Sequence, residues 1–301
     1  MRRTGIDTAL LALLSFLPFL FWTPALQAEG PRLEFGSSTA WSESDARFGG
    51  YSGVVLAPDG GSLLAVSDKG SWIRGDIDRN DGKLEGVRAT AIGDLHEISG
   101  ARLEGETTDA EGLAVDSLGR AYVSFEAFHR VRRYDDIDGP ATDVPSHPDF
   151  RAFQLNSALE TLALDADGTL YAIPERSGAW ERPFPVYRFR DGAWDRDLSL
   201  RRDGTFLAVD GDFGPDGKFY LLERDFGWLK GFATRVRRFT LGPDGFGDEA
   251  TLLETPFGEL DNMEGISTWR DEDGRIRVTL ISDDNFFPLQ RTTLVEYLLA
   301  E

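Results

Sequence analysis

The sequence predicts an all-β ring, a propeller built from four-stranded blades. Three observations carry that expectation: a phrase that recurs along the chain, glycines at fixed places within it, and a last unit that is one strand short. Glu111-Gly-Leu-Ala-Val-Asp-Ser-Leu-Gly119 is followed by Ala121-Tyr-Val-Ser-Phe-Glu126. Glu160-Thr-Leu-Ala-Leu-Asp-Ala-Asp-Gly168 is followed by Leu170-Tyr-Ala-Ile-Pro-Glu175. Ser52-Gly-Val-Val-Leu-Ala-Pro-Asp-Gly60 is followed by Ser62-Leu-Leu-Ala-Val-Ser-Asp68. Looser copies run from Val209-Asp210 through Gly217 to Glu223, and from Glu264-Gly-Ile266 through Gly274 to Ser282-Asp283. Starts recur about every 50 residues, the scale of a propeller or solenoid.

Each phrase reads as two antiparallel strands around a tight turn. Gly60, Gly119, Gly168, Gly217 and Gly274 stand where that turn needs a residue tolerant of positive φ. Two outer strands follow in most units, for example Pro185–Phe189 with Trp194–Leu200, and Thr234–Phe239 with Ala250–Leu253. Four strands make a blade. The fifth unit has Ile276–Ser282 and Thr293–Leu299 but no fourth strand. Arg32-Leu-Glu-Phe-Gly36, ahead of the first phrase, is expected to supply it and close the ring, leaving no open edge. Five blades are countable; a sixth, degenerate one near Leu84–Leu103 is the alternative. Residues 140–148, with a proline at each end, read as a long surface loop.

Residues 1–28 read as an export signal. Arg2-Arg3 precede an apolar stretch, Ala9 to Trp22, and Ala25-Leu-Gln-Ala28 offers small residues for cleavage. About 14 apolar residues is short for a membrane span. One domain, residues 29–301, remains, expected in the periplasm or outside the cell with no stable membrane anchor. There is no cysteine, which excludes disulfides, thiolate metal sites and lipoprotein acylation. The whole chain has 32 Lys+Arg against 52 Asp+Glu, a net charge of −20. Such a surface repels nucleic acid and anionic membrane.

The repeat also predicts where certain acids meet. In a two-stranded hairpin the residue opening the first strand and the residue closing the second lie at the same end. If these strands are the inner ones, five pairs surround one mouth of the central channel. They are Ser52 with Asp68, Glu111 with Glu126, Glu160 with Glu175, Asp210 with Glu223, and Glu264 with Asp283 or Asp284. Crowded carboxylates stay ionised only when cations or strong donors hold them. Ca²⁺ takes oxygen ligands in flexible geometry and is the natural occupant. Three histidines, His96, His129 and His147, and no cysteine argue against zinc. Lys69, Arg176, Arg224 and His129-Arg130 each follow one of these acids and are candidates to grip an anion. Ion pairing with adjacent blades accounts for them equally well.

Other schemes fit less well. Gly50-Tyr-Ser-Gly-Val54 lacks the last glycine of a serine-hydrolase elbow. Asp76-Ile-Asp-Arg-Asn-Asp-Gly82 begins like a calcium loop but has Asp81 at the glycine position and Val87 in place of the closing Glu, so a hairpin turn between outer strands is expected.

Taken in order, Phe48-Gly-Gly-Tyr-Ser-Gly53, Ser67-Asp-Lys-Gly-Ser-Trp72, Asp109-Ala-Glu-Gly-Leu113, Phe125-Glu126 with His129-Arg130, and Asn262-Met-Glu-Gly-Ile266 with Ser282-Asp-Asp-Asn-Phe286 resemble the exported phytase-like proteins of bacteria, described by an esterase-like activity. A more distant similarity is to the β-propeller phytases. The resemblance implies Ca²⁺ held by Glu111, Glu126, Glu160, Glu175, Glu223, Glu264 and Asp283. It implies hydrolysis of a small anionic ester or phosphoester around Glu111, Glu160 and Glu264, with Lys69, His129, Arg176 and Arg224 as substrate contacts. The sequence departs from the phytase pattern at Ser52, at Thr161 and in the fourth unit. A propeller that binds a metal or ligand without chemistry, and a gluconolactonase-like enzyme using Asn262 and Asn285, remain open alternatives.

Overall fold

The computed structural model describes residues 30–154 and 159–301. The expected export segment, residues 1–28, lies outside them. The described residues form five four-stranded antiparallel sheets. Blade 1 is β2 (Tyr51–Leu56), β3 (Ser62–Ser67), β4 (Ser71–Asn80) and β5 (Lys83–Asp94). Blade 2 is β6 (Ala110–Val115), β7 (Ala121–Phe125), β8 (Arg130–Tyr134) and β9 (Thr142–Val144). Blade 3 is β10 (Thr161–Leu164), β11 (Leu170–Ile173), β12 (Phe184–Arg190) and β13 (Ala193–Leu200). Blade 4 is β14 (Leu207–Phe213), β15 (Phe219–Gly227), β16 (Gly231–Gly242) and β17 (Gly245–Glu254). Blade 5 is β18 (Met263–Arg270), β19 (Ile276–Ser282) and β20 (Thr293–Ala300), completed by β1 (Arg32–Ala40), which pairs antiparallel with β20.

The N-terminal strand thus closes the ring. Lys83–Asp94 is the outer strand of blade 1, not the start of a sixth blade. Asp81-Gly82 makes the β4–β5 turn while Asp76 to Asn80 are strand, so no calcium loop forms there. The expected loop at 140–148 instead contributes β9, a short fourth strand for blade 2.

The glycines of the repeated turns all have positive φ, between 68° and 80°. Beside them an aspartate carboxylate ties the turn. Asp116 accepts from the amides of Leu118 and Arg120, Asp165 from Asp167 and Thr169, and Asp271 from Asp273 and Arg275, at 2.9–3.1 Å. This capping fixes the hairpin register locally.

Blade packing explains the near-continuous apolar inner strands. Buried side chains form five clusters, one at each junction between neighbouring blades. Between blades 4 and 5, for example, Val209, Tyr220 and Leu222 meet Ile266, Val278 and Leu280. Blades 1 and 5 meet through Tyr51, Ile73 and Trp269. A closed ring with every junction filled buries both faces of each sheet, and that burial is the main stabilising term.

Candidate functional site at the channel mouth

The inner strands of the blades, β2, β6, β10, β14 and β18, open at one end of the ring. Near that end the inner pairing slips by a residue, skipping Ser52 in blade 1, Val209 in blade 4 and Glu264 in blade 5; in blade 2 the slip spans Glu111 and Gly112. A bulge of this kind re-aims a side chain at a sheet edge. Glycine follows in blades 1, 2 and 5. At Gly112 a Cβ would lie 2.5 Å from the Glu160 carbonyl oxygen, so the absence of a side chain lets blade 2 approach blade 3. Glu111 and Glu160 are brought together by that approach.

The returning strand supplies the second residue of each pair. The amide of Asp68 donates to Gly50, that of Glu126 to Asp109, and that of Asp283 to Asn262, at 2.8–2.9 Å. These three bonds are the same bond in three blades. In blade 4 the matching pair is Leu207 with Arg224. The mouth therefore carries acids from four blades and an arginine from the remaining one.

The acids form a continuous electrostatic chain. Oxygens of Asp109, Glu111 and Glu126 lie within 4.8 Å of one another. Glu111 and Glu160 are within hydrogen-bonding reach, and burial together with neighbouring carboxylates pushes both well above the ordinary range. For Glu111 the neighbours are Glu160, Asp109 and Glu126; for Glu160 they are Glu175 and Glu126, opposed by Arg224. Without a cation such a pair shares a proton. Burial and the nearby Asp68 also raise Asp109. Burial raises Asp283 to about 6, with Asp68 and Asp284 adding to it and the Asn285 amide and Arg224 opposing.

Arg224 bridges the other side. Its guanidinium pairs with Glu264, donates to Asn262 Oδ1 at 2.6 Å, and lies 3.6 Å from Glu175. Asn262 Nδ2 donates to Glu264 at 2.8 Å. Lys69 sits over the Phe286 ring and 3.0 Å from Asp68; burial lowers its pKa, but Asp68, Asp109 and Asp283 raise it more. Arg176 bonds Glu175 at 3.0 Å.

Two sequence expectations change. Glu223 is fully buried and faces away from the mouth, bonded by Arg237 at 2.6 Å and Arg235 at 2.8 Å. Asp210 is likewise off the mouth, accepting the Ile266 amide of blade 5 at 2.8 Å. Both lie one residue from the expected register, and in a strand one residue is the opposite face. Val209 and Arg224 hold the mouth positions of blade 4. His129 packs edge-on to Phe153, and burial lowers its pKa, keeping the ring neutral. Asp109, which the sequence did not mark as a ligand, belongs to the site together with Asn262 and Asp284, which the sequence offers only as alternatives, Asn262 in the gluconolactonase-like reading and Asp284 in place of Asp283. Asp109 and Asn262 precede Glu111 and Glu264 by two, a same-face spacing that marks them. Asp284 accepts from the Gly50 amide at 3.0 Å, tying blade 5 to blade 1 beside the mouth.

The loops joining second to third strands rise around this mouth and carry exposed apolar side chains. Blade 2 presents Phe128, blade 3 Trp180, blade 4 Trp228 and Leu229 beside Phe226 at the end of β15, and blade 5 Phe286, Phe287 and Leu289. The acidic centre is thus flanked by exposed apolar side chains on four of the five blades.

The family model "Phytase-like: Esterase-like activity of phytase" matches residues 46–286. The chain belongs to this phytase-like family. The match spans all the acids and bases of the mouth named above. No curated protein sequence matches the chain significantly. Among solved structures, the α-L-arabinofuranosidase PaAbf62A from Podospora anserina is similar with a TM-score of 0.53, 11% identity, and coverage of 89% of this chain and 97% of that one. An aldose sugar dehydrogenase from Streptomyces coelicolor, solved with PQQ, has a TM-score of 0.48 at 15% identity over 88% and 98% of the two chains. A putative gluconolactonase gives 0.45 at 14% identity over 88% and 93%. At such identities the likeness speaks to fold alone.

Proposed function

We propose that this phytase-like chain is an exported, Ca²⁺-dependent hydrolase of small anionic phosphate or carboxylic esters, acting at the acidic mouth. The observation that carries the reading is the cluster of Asp109, Glu111 and Glu126 against Glu160, a set of mutually repelling oxygens with no histidine or thiol among the donors. That donor set suits a hard divalent cation, and cation binding would relieve the repulsion. Asp109, Glu111, Glu126 and Glu160 would hold the ion, with Glu175, Glu264 and Asp283 completing the ring. A bound ion would supply charge neutralisation at the ester oxygen and a more acidic water.

The chain's own residues do the rest. Arg224, held by Asn262 and Glu264, and Lys69, held over Phe286, offer N–H donors to an anionic substrate. The aromatic rim excludes water from an apolar leaving group. Arg176 is a further contact; His129, turned to Phe153, is left without a part in catalysis.

The test is turnover of a panel of aryl and alkyl phosphomonoesters and carboxylic esters by purified protein, with Ca²⁺ or with chelator. The reading requires hydrolysis that chelation abolishes and that Glu111→Gln and Glu160→Gln abolish. Calcium binding without turnover of any ester would leave a non-catalytic binding propeller.

A further inference from the structure

Beside the mouth, blade 3 holds a cavity of about 830 Å³. Its lining includes Arg176, Arg182, Arg196 and Arg202, with Asp149 as its acid. In a chain with 52 acids against 32 bases, four arginines around one cavity reverse the local field. Asp149 is already matched: Arg196 pairs with it and the Tyr187 hydroxyl donates to it at 3.0 Å. Arg176 is matched by Glu175.

Arg182 and Arg202 are different. Among the described residues neither has a carboxylate within ion-pairing distance. Arg182 makes a long bond, 3.5 Å, to the Ser177 carbonyl. Arg202 donates to Ser177 Oγ at 3.2 Å and to the Ala179 carbonyl at 3.4 Å, while its Nε is buried without a partner. A buried, unsatisfied guanidinium N–H is costly unless a ligand completes it. The fork geometry of arginine selects phosphate and carboxylate groups.

The same cavity has an aromatic wall. Trp180 is 63% exposed, and the Arg202 guanidinium lies 4.6 Å from its ring centroid. An indole left that open offers a flat apolar body a face to stack on. Arg176 lines the cavity while Glu175, the preceding residue, belongs to the mouth, so the two sites adjoin.

We propose that this cavity is an oxyanion-recognition subsite, taking a phosphate or carboxylate group carried on an aromatic or other flat apolar body. Arg182 and Arg202 bind the anion and Trp180 stacks on the body. Binding here needs no metal. If the mouth is the hydrolytic centre proposed above, the subsite selects which esters reach it; the binding claim itself does not rest on that reading.

The experiment is calorimetric titration of the full chain in excess EDTA with three probes: phenyl phosphate, benzoate and inorganic phosphate. Phenyl phosphate is expected to bind, and to bind about tenfold tighter than inorganic phosphate because of the stacking contact. Benzoate binding alongside it would show that either oxyanion suffices; its absence would restrict the subsite to phosphate. Arg182→Gln and Arg202→Gln should each weaken phenyl phosphate about tenfold or more. Trp180→Ala should bring phenyl phosphate down to the level of inorganic phosphate. Arg202→Gln removes the bonds to Ser177 Oγ and to the Ala179 carbonyl that help order residues 177–179, so Arg182→Gln, with little else to lose, decides the matter if Arg202→Gln misfolds. Glu111→Gln should leave phenyl phosphate binding unchanged, even where it abolishes hydrolysis. The proposal is overturned if no probe binds at millimolar concentration, if Arg182→Gln binds phenyl phosphate as the parent does, or if binding appears only with Ca²⁺ and vanishes in Glu111→Gln.

Discussion

Two kinds of buried acid stand in this ring. Glu223 and Glu296, fully buried inside blades 4 and 5, each sit in a fork of arginine N–H groups. Glu223 meets Arg235 and Arg237 at 2.6–2.8 Å, and Glu296 meets Arg79 at 2.5–2.6 Å with Thr279 at 3.1 Å. Glu111 and Glu160 are half-buried at the mouth, and their near neighbours are mostly other carboxylates. The first kind is electrostatically complete within the chain. The second is offset within the chain only in part, by Arg224 beside Glu160, and a proton or a cation from outside would relieve the rest. That contrast separates the charge-balanced acids from those of the candidate site more sharply than burial or composition does.

The largest expected effect breaks the complete kind. Glu223→Ala strands the fully buried Arg237, which still keeps Glu249 at 2.9 Å. It should cost about 3–5 kcal/mol in urea denaturation, as loss of one partner of a buried pair does. Glu111→Gln, by contrast, removes repulsion, and the chelated protein should be no less stable than the parent. An equal loss at both positions would erase the distinction.

Next comes the metal itself. If the mouth binds Ca²⁺ in the native state only, a free concentration near 100-fold over Kd should add about 2.7 kcal/mol of stability. The gain should be absent in Glu111→Gln, and intact in any Glu223 variant that still folds.

A smaller effect concerns pH. The fold raises Asp283 from 3.8 to about 6, chiefly by burial. In the metal-free protein folding therefore favours the protonated form relative to the unfolded chain. The stabilising contribution is complete below the unfolded value and is lost as pH rises through about 6. Asp283→Asn should abolish that part of the slope, and added Ca²⁺ should reverse it by displacing the proton. Parallel melting curves of parent and variant from pH 4 to 7 check this. Smallest of all, the exposed Lys69–Asp68 pair should contribute under about 1 kcal/mol, so Lys69→Gln should melt close to the parent.

Much of this was legible from residues alone. The turn glycines and the apolar runs around them specify hairpins, and the missing fourth strand of the last unit specifies the partner that Arg32–Ala40 provides. Those signals are local, and the β-ladder propagates them faithfully. The fourth blade was harder, because Asp210 and Glu223 are acids close to where acids were expected. The turn glycine holds the missing key. Glu111 and Glu160 lie eight residues before Gly119 and Gly168, and Glu126 and Glu175 seven after. The same counts from Gly217 give Val209 and Arg224, the residues found at the mouth. Acid identity was a weaker guide than register, since a shift of one position exchanges the channel face for the blade interior. The Arg182–Arg202–Trp180 cavity was not legible at all. It joins the segment after β11 to the one after β13, and no local pattern announces that meeting.

The most direct test of the account is calorimetric titration of Ca²⁺ into the chelator-stripped chain and into Glu111→Gln. The account predicts saturable binding to the parent that disappears when this one carboxylate becomes an amide. Identical isotherms for the two proteins, or no heat and no thermal shift for the parent, would contradict it.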